Sequence, residues 1–352
     1  MRRAAPGSLA LVLVLAGCGA TGPSPAAAPP GTHKASFRFS GFTHASWWHD
    51  EYPSADGQAS RAALASTRAS WAGVLVTWYM QTPDSNLIAR DTLRTPDDDA
   101  VVAAISDLHS RGLKVMLKPH VDVEDGTWRG TITPTDPAAW FSSYRAFLTR
   151  YAALAEANHV EMFAVGTELA TMSGSSYASE WGTTIALVRG AYSGLLTYAA
   201  NAVTSGDEFT SVSFWQALDV AGLDAYAPLS AATEPSVAEL VSGWSAGPDG
   251  DDMLAAFRNF EASIGKPVIF TEVGYKSVAG AASAPWNFDL QGGYDAGVQA
   301  NCYEAAFETF ASEPWFSGLF FWDWEVPPPG ALDTGYSPRG KPAESIFEGW
   351  QP

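Results

Sequence analysis

Two glutamates stand in matching settings. Glu168 lies near the end of the apolar run "VEMFAVGTEL" (160–169), and Glu272 lies in "PVIFTEVGY" (267–275); each directly follows a threonine and precedes a hydrophobic residue. One such carboxylate alone would read as a salt bridge. A pair at corresponding positions fits the cleavage of a glycosidic bond, in which one carboxylic acid protonates the departing oxygen and one carboxylate attacks the anomeric carbon. The two carboxyls then lie about 5 Å apart when configuration is retained.

Other residues could serve such a pair. Lys118 and His120 in "KVMLKPHVDV" (114–123) are expected on the pocket floor or against substrate hydroxyls. Tyr226 in "VAGLDAYAPL" (220–229) could donate its hydroxyl to a carboxylate nucleophile. Asp224 points the same way in a regular strand. Trp322 in "SGLFFWDWE" (317–325) offers an indole platform for the sugar, while Trp47, Trp48, Trp78, Trp128 and Trp286 are candidates for further subsites. The stretch "THASWWHDE" (43–51) groups His44, His49, Asp50 and Glu51, but it lacks the H-E-x-x-H spacing of helical zinc sites and no Cys joins it. No metal and no cofactor is expected.

Residues so far apart in sequence need a scaffold that gathers strand ends. The five runs above alternate with segments of helical period, and three more, 37–45, 71–80 and 195–203, complete a series of eight apolar runs from residue 36 onward. Thr95 and Pro96 read as the cap and first residue of a helix closed by Gly112, and Asp136 with Pro137 opens another. In the latter, Trp140, Tyr144, Phe147 and Tyr151 form a stripe facing the core. A third helix runs from about Asp252 to Gly265. Repeated βα units over this length predict an α/β fold, a single-domain (β/α)8 TIM barrel. A doubly wound sheet is the competitor, but no strand here leads into a G-x-G-x-x-G turn. In a barrel the site lies at the C-terminal strand ends, which explains why apolar strands terminate in carboxylates.

Composition agrees with a globular enzyme. The 352 residues are 47% hydrophobic and 16% charged, and a net charge of -18 argues against a nucleic-acid partner, which would need clustered Lys and Arg. The chain holds 14 Trp, 12 Tyr and 18 Phe, whose flat faces suit sugar rings, although most are expected in the core.

At the N-terminus, Arg2 and Arg3 precede the apolar "SLALVLVLAGCGA", too short to span a bilayer permanently. Leu15, Ala16, Gly17 and Cys18 resemble the bacterial lipobox. The resemblance implies a signal peptide over 1–17, lipid on the Cys18 thiol, and a membrane-anchored, extracytoplasmic protein. Residues 18–35 then form a Pro/Ala-rich tether, and 36–352 the barrel. Cys302 is the other cysteine and is expected to pack within a helix, so no internal disulfide is available.

The ordered set "FTHASWW", "KPH", "TWRGTI", "GTEL", "LTYAAN", "GLDAYAPL", "FTEVGY", "PWNF", "FFWDW" and "GKPA" resembles glycoside hydrolase family 113 across nearly the whole chain after the tether. Members of that family are β-mannanases of the large barrel clan. The resemblance implies that Glu168 is the acid/base and Glu272 the nucleophile, with net retention, acting on β-mannan or manno-oligosaccharides. The wider clan has Asn before its acid/base, where this chain has Thr167, so the sugar 2-hydroxyl contact falls to Asn201 as candidate. A monomer is expected. Two alternatives remain at this stage: a retaining enzyme for another β-linked hexosan, and a noncatalytic glycan-binding lipoprotein.

Overall fold

The computed structural model describes residues 34–352. The expected signal peptide over 1–17, the lipidation candidate Cys18 and nearly all of the expected tether therefore lie outside the described residues. Among the described residues, eight parallel strands close into a ring in sequence order. They are β1 (Phe39–Ala45), β2 (Trp71–Met80), β3 (Lys114–Val123), β4 (Met162–Thr167), β5 (Leu195–Ala202), β6 (Ala221–Ala225), β7 (Val268–Val273) and β8 (Phe316–Glu325). The expected (β/α)8 barrel is present, each strand within a few residues of its apolar run.

The helices are α1 (Ala55–Ser66), α2 (Asp98–Ser110), α3 (Pro137–Ala157), α4 (Ala178–Ala191), α5 (Val237–Gly243), α6 (Met253–Ile264), α7 (Ala296–Phe310) and α8 (Pro342–Trp350). Asp136 caps α3 by accepting the Ala139 N–H, and the stripe Trp140, Tyr144, Phe147 and Tyr151 is buried as its spacing requires. Gly265 ends α6 at φ 64, a left-handed conformation that glycine adopts without steric cost. Cys302 is buried in α7.

Two expectations need correction. Thr95 does not cap α2, because its hydroxyl donates to the Thr77 carbonyl on β2; the helix starts three residues later, after Asp97. No α-helix links β5 to β6. That segment holds two short 3-10 turns, Glu208–Thr210 and Trp215–Ala217, and buries Phe209, Phe214 and Trp215 against the barrel.

Side-chain alternation divides the interior from the outer shell. Phe39, Trp71, Met116, Met162, Val220, Ile269 and Phe320, with Leu195 beside them, form one apolar layer that draws a residue from every strand or its first turn. Being near the strand starts, it plugs the N-terminal end of the barrel. A larger cluster lies between strands and helices. No helix among the described residues is long and apolar enough to cross a membrane.

Candidate active site

The polar interior begins above the plug. Lys118, two residues beyond Met116 on β3, has no solvent exposure. Its ammonium donates to both carboxylate oxygens of Asp224 on β6, each at 3.2 Å, and to Oε1 of Glu272 on β7 at 2.5 Å. The lysine stem thus crosses the barrel from β3 to the far wall. Tyr226, just past β6, donates its hydroxyl to the other oxygen of Glu272, Oε2, at 2.8 Å. Thr271 donates to Asp224 at 2.7 Å. Both oxygens of Glu272 therefore have a buried donor.

One ammonium serves two carboxyls here. Burial, reinforced by the charge of Glu272, pushes the Asp224 carboxyl well above the usual range. Burial and the neighbouring Glu272 also push the Tyr226 phenol well up, so it stays a donor. Lys118 and Asp224 are shut off from solvent and sit beneath the site, where Lys118 joins Asp224 to Glu272.

Glu168 is built differently. β4 ends at Thr167, and Glu168 takes φ 49, an uncommon conformation for a residue with a side chain. Its own N–H donates to the Ala199 carbonyl at 2.7 Å, and the next N–H, of Leu169, donates to the Tyr198 hydroxyl at 2.8 Å. This turn lifts the carboxyl off the strand, where it is 9% exposed. Trp128 donates its indole N–H to Oε2 at 3.0 Å, Arg129 reaches the same oxygen at 3.4 Å, and Asn201 at the end of β5 donates to Oε1 at 3.3 Å. Arg129 is also paired with Asp122 at 2.5 Å. Its guanidinium feels the charge of both Glu168 and Glu272.

His120 lies 3.9 Å from Glu272 Oε1 and its ring is parallel to that of Trp322, with centroids 6.4 Å apart. Burial, then Arg129 and Lys118, hold its pKa well below the usual value, so the imidazole is neutral. Neither ring nitrogen has a hydrogen-bond partner among the described residues. A buried neutral imidazole without partners is unfavourable unless something polar meets it. Trp322 is half-buried and meets Trp47 edge-on at 6.0 Å.

Of the further tryptophans, Trp47, Trp48, Trp128 and Trp286 are exposed. Trp78 is not a mouth residue: it packs on Phe147 and Tyr151 of α3 and donates to the Tyr151 hydroxyl. His44 bonds the Trp324 carbonyl and packs on Tyr52, and Glu51 accepts from Ser46, Trp47 and Trp48. Sequence reasoning missed Arg129, Tyr198 and Glu208. Arg129 falls within the quoted "TWRGTI", yet nothing local marks it as a partner of a residue 39 positions away.

The model of Glycoside Hydrolase Family 113 matches residues 41–338. Among solved structures, the GH113 β-mannanase AaManA from Alicyclobacillus acidocaldarius, in complex with ManMIm, is 31% identical, with 88% of this chain and 95% of that chain covered at a TM-score of 0.78. Two structures of GH113 β-1,4-mannanase, one of them a complex, are each 29% identical; coverage is 88% and 89% of this chain and 97% and 98% of theirs, at TM-scores of 0.76 and 0.77. A GH5_18 protein from Streptomyces cattleya, 17% identical over 89% of this chain and 79% of its own at a TM-score of 0.52, shares the fold. Among curated proteins, none matches this chain in sequence.

Proposed function

We propose that this chain, which belongs to glycoside hydrolase family 113 and is a glycoside hydrolase, cleaves β-1,4-mannosidic bonds by double displacement. The observation that carries the reading is the contrast between two carboxyls at the ends of β4 and β7. Glu272 is gripped by Lys118 and Tyr226 and suited to be an anion; Glu168 is nearer to solvent on a turn of its own. The similarity to β-mannanases supports the choice of sugar.

In the first step Glu272 attacks the anomeric carbon while Glu168 gives its proton to the glycosidic oxygen. The carbon–oxygen bond breaks, the shortened chain leaves as an alcohol, and a glycosyl ester remains on Glu272. Arg129, Trp128 and Asn201 then face the carboxylate that Glu168 has become. In the second step Glu168 takes a proton from water, the hydroxide oxygen attacks the same carbon, and Glu272 departs as a carboxylate. Lys118 and Tyr226 stabilise that departing charge. The open nitrogens of His120 are assigned to sugar hydroxyls, Asn201 to the 2-hydroxyl, and the face of Trp322 to the sugar ring.

Hydrolysis of defined manno-oligosaccharides followed by proton NMR tests the reading. The first product anomer should be β, with the α form appearing only by mutarotation. An α product formed first would overturn double displacement, and turnover of cello-oligosaccharides in place of manno-oligosaccharides would overturn the sugar assignment.

For the N-terminal segment we propose lipid attachment at Cys18 and an extracytoplasmic location. Labelled palmitate should enter the wild-type chain expressed in bacteria and not the Cys18→Ala variant.

A further inference from the structure

One buried carboxyl is left unused by this mechanism. Glu208 sits in the non-helical link between β5 and β6 and is almost fully buried. One of its oxygens, Oε1, accepts from the Tyr198 hydroxyl at 2.5 Å, and Oε2 accepts the Asn201 backbone N–H at 2.8 Å. Each partner leads directly to Glu168. The Tyr198 hydroxyl that donates to Glu208 also accepts the Leu169 N–H, the peptide immediately after the left-handed Glu168. Asn201, whose backbone Glu208 holds, sends its side-chain amide to Glu168 Oε1.

The Tyr198 ring has little freedom to move. Trp181, Phe214 and Trp215 pack around it edge-to-face. On the β4 side the ring lies so close to Gly166 that a Cβ there would come within 2.7 Å of it. Gly166 thus admits the tyrosine that fixes the turn two residues later. Glu208 is the point at which both supports of Glu168, the backbone turn and the asparagine, are tied together.

We propose that Glu208 is a positioning residue for the acid/base: through Tyr198 it holds the left-handed turn at Glu168, and through the Asn201 backbone it holds the amide that orients the Glu168 carboxyl. The inference rests on reading Glu168 as the acid/base. Proton delivery requires that carboxyl within hydrogen-bond reach of the glycosidic oxygen, and displacement of about 1 Å costs on the order of 100-fold.

The test compares kcat/KM for mannotetraose, whose leaving group needs a proton, with that for a dinitrophenyl β-mannobioside, whose leaving group does not. Glu168→Ala is run first and should lose activity on mannotetraose only. Glu208→Ala should then lose roughly 10- to 100-fold on mannotetraose and little on the aryl substrate. Tyr198→Phe, which keeps the ring and removes the bridging hydroxyl, should show the same selectivity and covers the case in which Glu208→Ala does not fold. Glu208→Gln, which keeps an acceptor for only one of its two donors, should lose less on mannotetraose than Glu208→Ala and likewise little on the aryl substrate. Equal losses on both substrates in the Glu208→Ala and Tyr198→Phe variants, or no loss on either, would overturn the positioning role. If Glu168→Ala itself shows no selectivity, it is the acid/base reading that fails.

Discussion

Lys118 and Glu272 meet across the full width of the barrel, 154 residues apart in sequence, with Nζ 2.5 Å from Oε1. The same ammonium lies against Asp224, so three ionisable groups share one buried site. Removing the cation leaves a carboxylate uncompensated in a region without solvent. Lys118→Met should therefore cost on the order of 3–5 kcal/mol of stability, measured by denaturant unfolding. Pairing it with Asp224→Asn should restore part of the stability and none of the activity, since Glu272 still lacks its counter-charge.

For the nucleophile, Glu272→Ala should bring hydrolysis of manno-oligosaccharides to background. With a dinitrophenyl mannoside and added azide, activity should return and the product should be the α-mannosyl azide, because azide enters from the face that Glu272 has vacated. A β-azide would place the nucleophile elsewhere.

Tyr226 offers a milder perturbation. Its hydroxyl gives Glu272 Oε2 a hydrogen bond to a charged group, worth about 1.5–3 kcal/mol. Tyr226→Phe should accordingly lower kcat/KM by roughly 10- to 100-fold on mannotetraose and on the aryl substrate alike. Unlike Glu208→Ala, it acts on a group required with every leaving group.

The stability of the protein should report Glu208 independently of catalysis. Burial lifts its carboxyl from 4.5 to about 7, against the opposing hydrogen bonds of Tyr198, Asn201 and Ser173 and with the charge of Glu168 adding to the rise. Because the folded value lies above the unfolded one, the contribution is fully present below about pH 4.5 and is lost as pH rises through about 7. At 1.36 kcal/mol per pH unit this is on the order of 3 kcal/mol. Glu208→Gln does not titrate, so its stability relative to wild type should increase between pH 5 and pH 8 in urea titrations. A constant difference across that range would show that Glu208 does not ionise late.

Two tryptophans should separate cleanly. Trp78→Phe should shift the unfolding midpoint and leave kcat/KM unchanged, because the ring and its N–H are engaged by α3. Trp322→Ala should raise KM for manno-oligosaccharides, as expected of a ring that supports the sugar. The pair of measurements checks which of the strand-end indoles face the mouth.

Much of this arrangement was legible from local pattern. Short apolar runs alternating with helical segments located the eight strands, and helix caps such as Asp136 and Gly265 were readable because their chemistry is confined to a single turn. Glu168 and Glu272 stood out because each closes an otherwise apolar strand. The misplacement of Trp78 was avoidable: seven positions after the inward Trp71, strand alternation turns it outward. Thr95 misled because a threonine before a proline looks like a cap, while its hydroxyl is bound to the strand behind it. The link from β5 to β6 was harder, since its aromatic residues satisfy the core without helical spacing. Arg129 and Glu208 were not legible as site residues. What makes them relevant is the company they keep in space, and a polar side chain in a loop carries no local sign of that.

The apolar layer drawn from all eight strands has its own consequence for how a polymer is handled. With one end of the barrel sealed, there is no passage through the molecule, and a polysaccharide has to lie across the rim. In the proposed double displacement the leaving chain and the later product both exit on the side they came from, so water for its second step arrives only after the departing sugar has uncovered the cup.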